Sequence, residues 1–292
     1  MDENKINIQW FPGHMTKAKR MMVDNVKLVD AICEIIDARI PISSRNPELG
    51  DIAGGRPRVV ILTRTDLADP EMTRRWAKYF RDNGIYVIET DSKSGKGVNK
   101  FSDSLRIVLK EKLEQYAAKG QANRPLRVMV AGIPNVGKST FINKVAGRKA
   151  ALASNKPGVT RGKQWITIGK GLELMDTPGL LWPKFDSQVV GENLAFTGAV
   201  KDDVIDTEAL AANLMVKLRE RYPKLLEARY KFTPDPEAKG WELLEKAARK
   251  RGFLVSGGDV DTERMAKILL DEYREGKLGR ITLELPGEKK DA

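Results

Sequence analysis

The segment GIPNVGKST, residues 132–140, has the residue types and spacing of a loop that binds phosphate groups. Glycines let a backbone wrap around phosphates, and successive N–H groups at the start of a helix donate hydrogen bonds to their oxygens. Lys138 adds positive charge near the β- and γ-phosphates, and Ser139 is suited to binding Mg²⁺. The alternative is a glycine-containing turn before an ordinary helix. We expect the nucleotide to contact Asn135, Val136, Gly137, Lys138, Ser139 and Thr140.

Two later segments complete a triphosphate site. DTPG, residues 176–179, follows the strand-like run LELMD, where the Asp176 carboxylate can approach Mg²⁺ and Gly179 can bring its N–H to the γ-phosphate. Between this segment and the phosphate loop, PGVTRG contains Thr160, whose hydroxyl and carbonyl suit the metal and the γ-phosphate. DTPG by itself is equally compatible with a simple turn. In this order the three segments indicate catalysis on a nucleoside triphosphate, with Lys138, Thr160 and Gly179 contacting the reacting phosphate.

Two segments upstream of the phosphate loop carry residues that suit recognition of a base. TRTD, residues 63–66, ends the run RVVILT, and TDSKSG, residues 90–95, ends the run IYVIET. A carboxylate that accepts hydrogen bonds from N1–H and the amino group of guanine distinguishes guanine from adenine, and nothing downstream of DTPG supplies one in a suitable pattern. Asp66 can alternatively cap a turn or helix, although Asp69 with Pro70 already fits that role.

Alternating strand and helix patterns must position these segments. The apolar runs AICEIID, RVVILT, IYVIET and LRVMVAG alternate with helix-compatible stretches, including residues 15–29 and 99–118. This alternation predicts an α/β fold with a doubly wound, mostly parallel sheet covered on both faces. After about residue 186 helical periods dominate, so we predict a nucleotide-binding domain over 1–186 and a smaller all-helical domain over 187–292. Core positions predicted there are Trp241, Met265, Ile268 and Leu269.

The charge balance favours an anionic partner. Lys and Arg total 51 against 40 Asp and Glu, which gives a net charge of +11 and a pI near 9.5. We expect RNA phosphate contacts in two basic groups, although each is also compatible with a solvated helix face. These groups are Lys17, Lys19 and Arg20, and Lys246, Arg249, Lys250 and Arg251.

The single cysteine and the lengths of the apolar runs indicate the cell compartment in which the protein acts. Cys33 is the only cysteine, so an internal disulfide is impossible, and its apolar surroundings predict a reduced core residue. No apolar run approaches the roughly 18 residues of a membrane span, and the N-terminal residues do not resemble a signal peptide. We therefore expect a cytoplasmic protein without a membrane segment.

The order of TRTD, TDSKSG, GIPNVGKS, PGVTR and DTPG resembles the circularly permuted GTPases, and WFPGHMTKA with DARIP resembles those of the YlqF type. The resemblance covers nearly the whole chain. It implies a P-loop GTPase domain that binds GTP and GDP with Mg²⁺, with base contacts from Thr63, Arg64, Asp66, Asp91, Ser92 and Lys93. It also implies a factor, expected to be monomeric, that binds the rRNA of the large ribosomal subunit precursor late in assembly and leaves after hydrolysis. Arg64 replaces the family's Lys, but a guanidinium plane can still stack on a purine.

The residue after DTPG is Leu180, where many GTPases have a Gln that orients the attacking water. A leucine side chain cannot hydrogen-bond, so another group must act. His14, the only histidine, is our candidate because a neutral imidazole accepts a hydrogen bond from water near neutral pH. Alternatively, FPGH caps the first helix or touches RNA. The resemblance further implies K⁺ binding by Asn135, which can instead satisfy its own loop.

Two other functions are compatible with the same residues. In one, the protein binds RNA during assembly and its nucleotide site is purely structural, which predicts ribosome association independent of nucleotide. In the other, the phosphate loop serves a phosphotransferase, although no acceptor-site motif stands out. DTPG with upstream base-recognition segments favours a hydrolytic switch, whose unassisted rate we expect to be about 10⁻⁴ s⁻¹.

Overall fold

The computed structural model describes Ile8 and residues 13–147, 165–169, 171–185 and 187–287, with the side chain of His14 excepted. The described residues form two compact units. The first, here called the nucleotide unit, lies within Phe11–Trp182 and Glu284–Gly287, and the second, the helical unit, lies within Pro183–Leu283 and also includes Ile8. The domain boundary predicted between residues 186 and 187 stays a prediction. In the structure the chain leaves the nucleotide unit after Trp182 and returns to it at Glu284.

A six-stranded sheet forms the core of the nucleotide unit. Its strands are β1 (Ala31–Asp37), β2 (Arg58–Thr63), β3 (Tyr86–Glu89), β4 (Leu126–Gly132), β5 (Trp165–Ile168) and β6 (Leu172–Asp176). The order across the sheet is β3-β2-β1-β4-β6-β5, and only the β5–β6 pair is antiparallel among the pairs described. The predicted α/β fold with a mostly parallel sheet is therefore confirmed.

The central strand β1 is buried along its whole length, as expected of a parallel strand covered on both faces. Cys33 is fully buried there as a free thiol, which agrees with the predicted core role, and burial raises the pKa of that thiol. Two carboxylates of β1 are also buried, and each is compensated by an arginine. Asp37 pairs with Arg39 at 2.8 Å, and Glu34 pairs with Arg45 at 2.8 Å.

Six α-helices accompany the sheet in the described part of this unit: α1 (Gly13–Val26), α2 (Leu49–Ala53), α3 (Pro70–Asp82), α4 (Phe101–Val108), α5 (Lys110–Ala118) and α6 (Lys138–Ala146). Asp69 caps α3 as predicted, because its carboxylate accepts hydrogen bonds from the N–H groups of Glu71 and Met72. The single helix predicted over 99–118 is instead divided into a 3₁₀ turn, α4 and α5. The division between α4 and α5 lies at Leu109, whose side chain is buried while its backbone leaves helical geometry (φ −102°, ψ 21°).

The helical unit contains α7 (Gln188–Phe196), α8 (Thr207–Arg221), α9 (Pro223–Tyr230), α10 (Gly240–Lys250) and α11 (Thr262–Glu275) among its described residues. Met265 and Leu269 are fully buried as predicted, and Ile268 is partly buried. The prediction for Trp241 was wrong, since its side chain is 54% exposed. Helix α10 buries Leu243, Leu244, Ala247 and Ala248 instead, and Trp241, in its first turn, lies at the margin of this face. No described helix of the chain is long and apolar enough to cross a membrane.

Glu272 of α11 is a buried anion that joins three elements of the helical unit. Its carboxylate accepts hydrogen bonds from Arg229, from the Tyr230 hydroxyl at 2.8 Å and from Arg251 at 2.8 Å. Burial alone would raise the pKa of Glu272, but the hydrogen bonds from Arg229 and Tyr230 and the neighbouring guanidinium charges lower it. The charged form is therefore the one that the folded unit stabilises.

This lowered pKa predicts a specific acid sensitivity. The pKa of Glu272 in the folded protein lies below its unfolded value of about 4.3. The contribution of the charged carboxylate to the free energy of unfolding is therefore complete above the unfolded pKa, and it is lost as the pH falls through the folded pKa. We expect Glu272→Gln to lower the free energy of unfolding by about 2 kcal/mol at pH 7 and to flatten its decline between about pH 5 and pH 3. Urea titrations followed by circular dichroism measure this. Glu263→Gln, at an exposed pair with Lys267, is the matched control, and identical pH profiles for wild type and Glu272→Gln would contradict the assignment.

Candidate nucleotide site

The predicted nucleotide segments meet at one edge of the sheet. The strands β1, β2, β3, β4 and β6 are parallel, so their carboxyl ends lie at the same edge. DARIP follows β1, TRTD follows β2, TDSKSG follows β3, the phosphate loop follows β4 and DTPG follows β6. From β1 the chain continues to β2 and β3 on one side of the sheet, and from β4 it continues to β5 and β6 on the other side. The crevice between β1 and β4 is therefore the point where the strand order reverses, and open α/β sheets bind ligands at such a point.

The phosphate loop leads directly into helix α6. Gly137 is the N-cap of α6 with φ +94°, a conformation that favours glycine because a Cβ would be strained. Asn135 also has a positive φ of 58°. Lys138 begins the helix, and its Nζ lies 3.1 Å from Oδ1 of Asp176. Ser139 and Thr140 are exposed in the first turn of α6, where helix N–H groups can meet phosphate oxygens.

The DTPG segment lies directly against the phosphate loop. The Thr177 hydroxyl donates to the Val130 carbonyl at 2.8 Å, and the Leu180 N–H donates to the Gly132 carbonyl at 3.1 Å. A Cβ on Gly179 would lie 2.8 Å from two backbone atoms of Pro134, so only glycine permits this approach. The sequence analysis predicts that the Gly179 N–H binds the γ-phosphate, and this contact brings its backbone to the predicted phosphate loop.

Leu180 is a packing residue whose polar atoms are already engaged. Its side chain is 2% exposed, and its carbonyl accepts a hydrogen bond from the Asn46 side chain at 3.3 Å. The next N–H, of Leu181, donates to the Met15 sulfur at 3.4 Å. Sequence reasoning missed Asn46, because no local pattern connects residues separated by 134 positions. The start of α1 and the loop after β1 therefore both hold the DTPG segment.

The loop after β1 is itself fixed by buried polar contacts. The Arg39 guanidinium contacts both carboxylate oxygens of Asp37, and the Asp37 N–H donates to the Ser44 hydroxyl at 2.9 Å. The N–H groups of Ile42 and Ser43 donate to the Glu284 carboxylate at 2.6 and 2.9 Å. The DARIP residues thus build a rigid support next to the site.

The TRTD segment contacts the phosphate loop. The Thr63 hydroxyl oxygen lies 2.6 Å from the Val136 carbonyl of the loop and 2.9 Å from the Ile36 carbonyl of β1, and its single proton is donated to one of these carbonyls at a time. Arg64 has a positive φ of 56°, and its Nε lies 3.7 Å from the position of a Cβ on Gly137. That Nε is buried without a hydrogen-bond partner among the described residues. Asp66 is partly exposed nearby in the chain.

The TDSKSG segment forms a tight turn. The Asp91 carboxylate accepts hydrogen bonds from the N–H groups of Lys93 at 2.9 Å and Ser94 at 3.1 Å. Burial opposes the charged form of Asp91, but these hydrogen bonds and the Lys93 charge outweigh it and lower its pKa. Ser92 is buried, and its hydroxyl has no hydrogen-bond partner within the described part of the chain. Lys93 is exposed.

Several predicted site residues were not brought to this edge or are not described. Thr160 lies outside the described residues, and so does the side chain of His14, whose backbone is in the first turn of α1. Of the proposed RNA contacts, five are exposed and two are partly buried; the exposed ones are Lys17, Arg20, Lys246, Arg249 and Lys250, and the partly buried ones are Lys19 and Arg251. Four of the set have intramolecular partners: Lys19 pairs with Glu48, Lys246 lies over the Phe232 ring, Arg249 pairs with Glu245, and Arg251 pairs with Glu272.

The donor set fits Mg²⁺ only together with a nucleotide. Among the described residues no group of three or more His, Cys, Asp or Glu side chains could hold a metal. The Ser139 hydroxyl and the Asp176 carboxylate are oxygen ligands of the kind Mg²⁺ prefers, and Mg²⁺ commonly takes its other ligands from phosphates and water. Lys138, the residue before Ser139, lies 3.1 Å from Asp176, so the structure brings the two predicted ligand-bearing segments together.

The fold and the site together define a P-loop GTPase domain whose predicted base-recognition segments precede the phosphate loop. Residues 127–227 match a family model described as 50S ribosome-binding GTPase. Ribosome biogenesis GTPase A of Bacillus cereus is 42% identical over 281 residues, covering 96% of this chain and 95% of that protein. The Priestia megaterium protein of the same name is 44% identical over 284 residues, covering 97% and 98%. The chain belongs to the ribosome biogenesis GTPase A family.

A solved structure agrees with this assignment. The crystal structure of GNP-bound YlqF from Thermotoga maritima has 28% sequence identity and a TM-score of 0.65, and it covers 94% of this chain and all of that one. A GDP-bound structure of the same protein gives 27% identity and a TM-score of 0.63. The YlqF-type resemblance predicted from the motif order is therefore confirmed.

The contact between Gly179 and Pro134 predicts that one methyl group added at residue 179 strongly slows GTP hydrolysis. In Gly179→Ala the added Cβ would lie 2.8 Å from backbone atoms of Pro134, so the DTPG segment must move from the phosphate loop. We expect single-turnover GTP hydrolysis to slow about 100-fold, because small displacements of positioning groups cost about that much, while the melting temperature changes little. Gly50→Ala is the matched control, since its Cβ would meet only an Arg58 side-chain atom, at 3.8 Å. A wild-type rate for Gly179→Ala would contradict the proposed position of this loop.

Proposed function

We propose that this chain is a GTP-hydrolysing factor that acts late in assembly of the large ribosomal subunit, binds its rRNA in the GTP form and leaves after hydrolysis. The observation that carries the proposal is the contact of DTPG with the phosphate loop, through Gly179 against Pro134 and Asp176 beside Lys138. A segment that touches the phosphate loop at the γ-phosphate side can respond to loss of that phosphate. The ribosomal role is supported by the relatives' name and by the matched family's description.

Guanine selection in this proposal comes from the TRTD and TDSKSG segments. Asp66 accepts hydrogen bonds from N1–H and the amino group of guanine, and the Arg64 guanidinium stacks on the base. Thr63 supports this segment through its hydrogen bond to the phosphate loop. Asp91 shapes the second turn, and the buried Ser92 hydroxyl and exposed Lys93 are available to the nucleotide.

The phosphates are held by the loop from Asn135 to Thr140 and by the charge of Lys138. Mg²⁺, when bound by Ser139, Thr160 and Asp176, neutralises charge that develops on the phosphate oxygens. Asn135 is proposed to hold K⁺ beside the phosphates, where an added cation would serve in place of an arginine finger.

His14 is proposed to orient the attacking water. Leu180 cannot do so, because its side chain is buried and its N–H and carbonyl bind Gly132 and Asn46. Met15, the neighbour of His14, is 1% exposed and its sulfur accepts a hydrogen bond from Leu181. The beginning of α1 is thus tied to the residue that directly follows Leu180. His14 therefore directly precedes Met15, whose sulfur contacts Leu181 just after the DTPG segment.

The protein is further proposed to act in the cytoplasm as a monomer. Its rRNA contacts include Lys17, Arg20 and Lys250, which are exposed. Lys19, Lys246, Arg249 and Arg251 join them on exchange of their present partners for phosphates. Without a ribosomal partner, hydrolysis is expected at about 10⁻⁴ s⁻¹.

The decisive test is single-turnover GTP hydrolysis in K⁺ buffer, with and without large ribosomal subunits, after GTP affinities have been matched. We expect subunits to accelerate the wild type about 100-fold or more, as positioned acid–base groups do. His14→Ala should bind subunits yet stay near its basal rate, whereas the control Thr16→Ala, at an exposed position of the same helix, should behave as wild type.

Each other result contradicts a defined part of this proposal. Equal acceleration of wild type and His14→Ala would assign water positioning to another group. Absence of acceleration in every variant would contradict activation by the ribosome. Subunit binding that is independent of nucleotide would favour an RNA-binding assembly protein with a structural nucleotide site.

A further inference from the structure

A basic cleft lies at the edge of the sheet opposite the nucleotide segments. Its volume is about 700 Å³, and it is lined by residues that precede β1, β2 and β4, together with residues of α5. Six of the lining side chains are cationic and one is anionic. The cations are Lys27, Arg56, Lys112, Lys119, Arg124 and Arg127, and the anion is Asp30.

Asp30 offsets only one of these six positive charges, and its carboxylate is held by neutral donors of the cleft wall. It accepts hydrogen bonds from the Tyr116 hydroxyl and from the Arg127 N–H at 2.9 Å. Burial and the bond to Asp30 raise the pKa of Tyr116 to about 12, so the hydroxyl stays a donor at neutral pH. Lys27 and Lys119 have no carboxylate partner among the residues that the structure describes. The Arg127 Nε pairs with Glu173 at 2.8 Å. The six cations still exceed the two carboxylates of Asp30 and Glu173, so the cleft keeps a net positive charge.

Several of the cations are held in fixed positions. The Arg56 Nε donates to the Val29 carbonyl at 3.0 Å. The Arg124 guanidinium lies 4.5 Å from the centre of the Tyr116 ring, and the Arg127 guanidinium lies 4.8 Å from that of Trp165. Such pre-positioned charges lose little conformational entropy when they bind an anion. Because cations already cover the Tyr116 ring, that ring is not available to stack on a base.

The helices around the cleft argue against a compact polyphosphate ligand. Small phosphates are usually bound by N–H groups at helix N-termini. Here α1 ends at Val26, α2 ends at Ala53 and α5 ends at Ala118, so carbonyl ends of helices lie next to the lining residues. Carbonyl ends disfavour an anion in direct contact. Cations from four separate chain segments instead suit a polymer whose phosphates are spaced apart.

We propose that this cleft binds the phosphodiester backbone of RNA without reading its bases. The identity of the polymer rests on the proposed ribosomal function, whereas the positive cleft itself does not depend on it. The cleft adds a second RNA-binding surface on the nucleotide unit, separate from Lys17, Lys19 and Arg20 of α1. Counterion release from the bound phosphates supplies the affinity, so binding weakens steeply with salt.

The test compares two triple variants of the full chain that each lose three positive charges. The cleft variant is Lys27→Gln with Lys119→Gln and Arg124→Gln. The matched control is Arg74→Gln with Arg75→Gln and Lys78→Gln, which are exposed on α3 of the same unit and do not line the cleft. Binding of a fluorescent 30-nucleotide polyuridine is measured by anisotropy at several KCl concentrations with saturating GDP.

We expect the cleft variant to bind RNA about tenfold more weakly and to reduce the slope of log affinity against log salt by about 2, since each single-strand phosphate contact contributes about 0.7. The control should stay within about twofold of wild type. GDP affinity and melting temperature should be unchanged in both variants.

Three results would overturn the inference. Equal weakening by both variants would assign the effect to net charge. A lower melting temperature of the cleft variant with unchanged RNA binding would show that these cations only stabilise helix ends. Displacement of RNA by micromolar tripolyphosphate would indicate a small polyphosphate site. Failure of the proposed function is separately visible, because subunit-stimulated GTP hydrolysis is measured on the same proteins.

Discussion

The parallel pairing of β1 with β4 is the constraint on which the rest of the nucleotide unit depends. On one side of this pair, β2 and β3 lead into TRTD and TDSKSG, the predicted base-recognition segments, whereas β4 and β6 lead into the phosphate loop and DTPG. Because all these strands are parallel, their carboxyl ends reach one edge. The hydrogen bond from Thr63 to the Val136 carbonyl, across 73 positions of sequence, shows how closely the two halves meet. A chain whose base segments come first can therefore still assemble one site.

The DTPG segment occupies the centre of this assembly. It contacts the phosphate loop through Gly179, and the two residues that follow it, Leu180 and Leu181, contact Asn46 of the loop after β1 and Met15 of helix α1. The loop after β1 is in turn anchored by the buried Asp37–Arg39 pair and by Glu284. Loss of one partner of such a buried pair would leave an uncompensated charge. In the proposed function, a change at the γ-phosphate therefore acts on a segment with several well-defined contacts.

Features that depend on residues close together in the sequence could be predicted, and contacts between distant residues could not. The five parallel strands, the loop before α6 and the Asp69 cap depend on neighbouring residues, and each was predicted, whereas the antiparallel strand β5 was not. Trp241 follows the same helical period as true core residues, so its exposure depends on which face of α10 meets its neighbours. The break at Leu109 and the bond from Asn46 to Leu180 likewise depend on tertiary packing. The basic cleft was missed because its cations are scattered over a hundred residues of sequence.

The central claim is that segments from both halves of the sheet form one guanine-nucleotide site. Hydrogen–deuterium exchange with and without a non-hydrolysable GTP analogue tests it most directly, with the matching ATP analogue as the control. The account predicts that the GTP analogue slows exchange in residues 63–66, 90–97, 134–140 and 177–180 together, and that the ATP analogue protects far less. Protection confined to 134–140, or equal protection by both analogues, would contradict a site built from both halves.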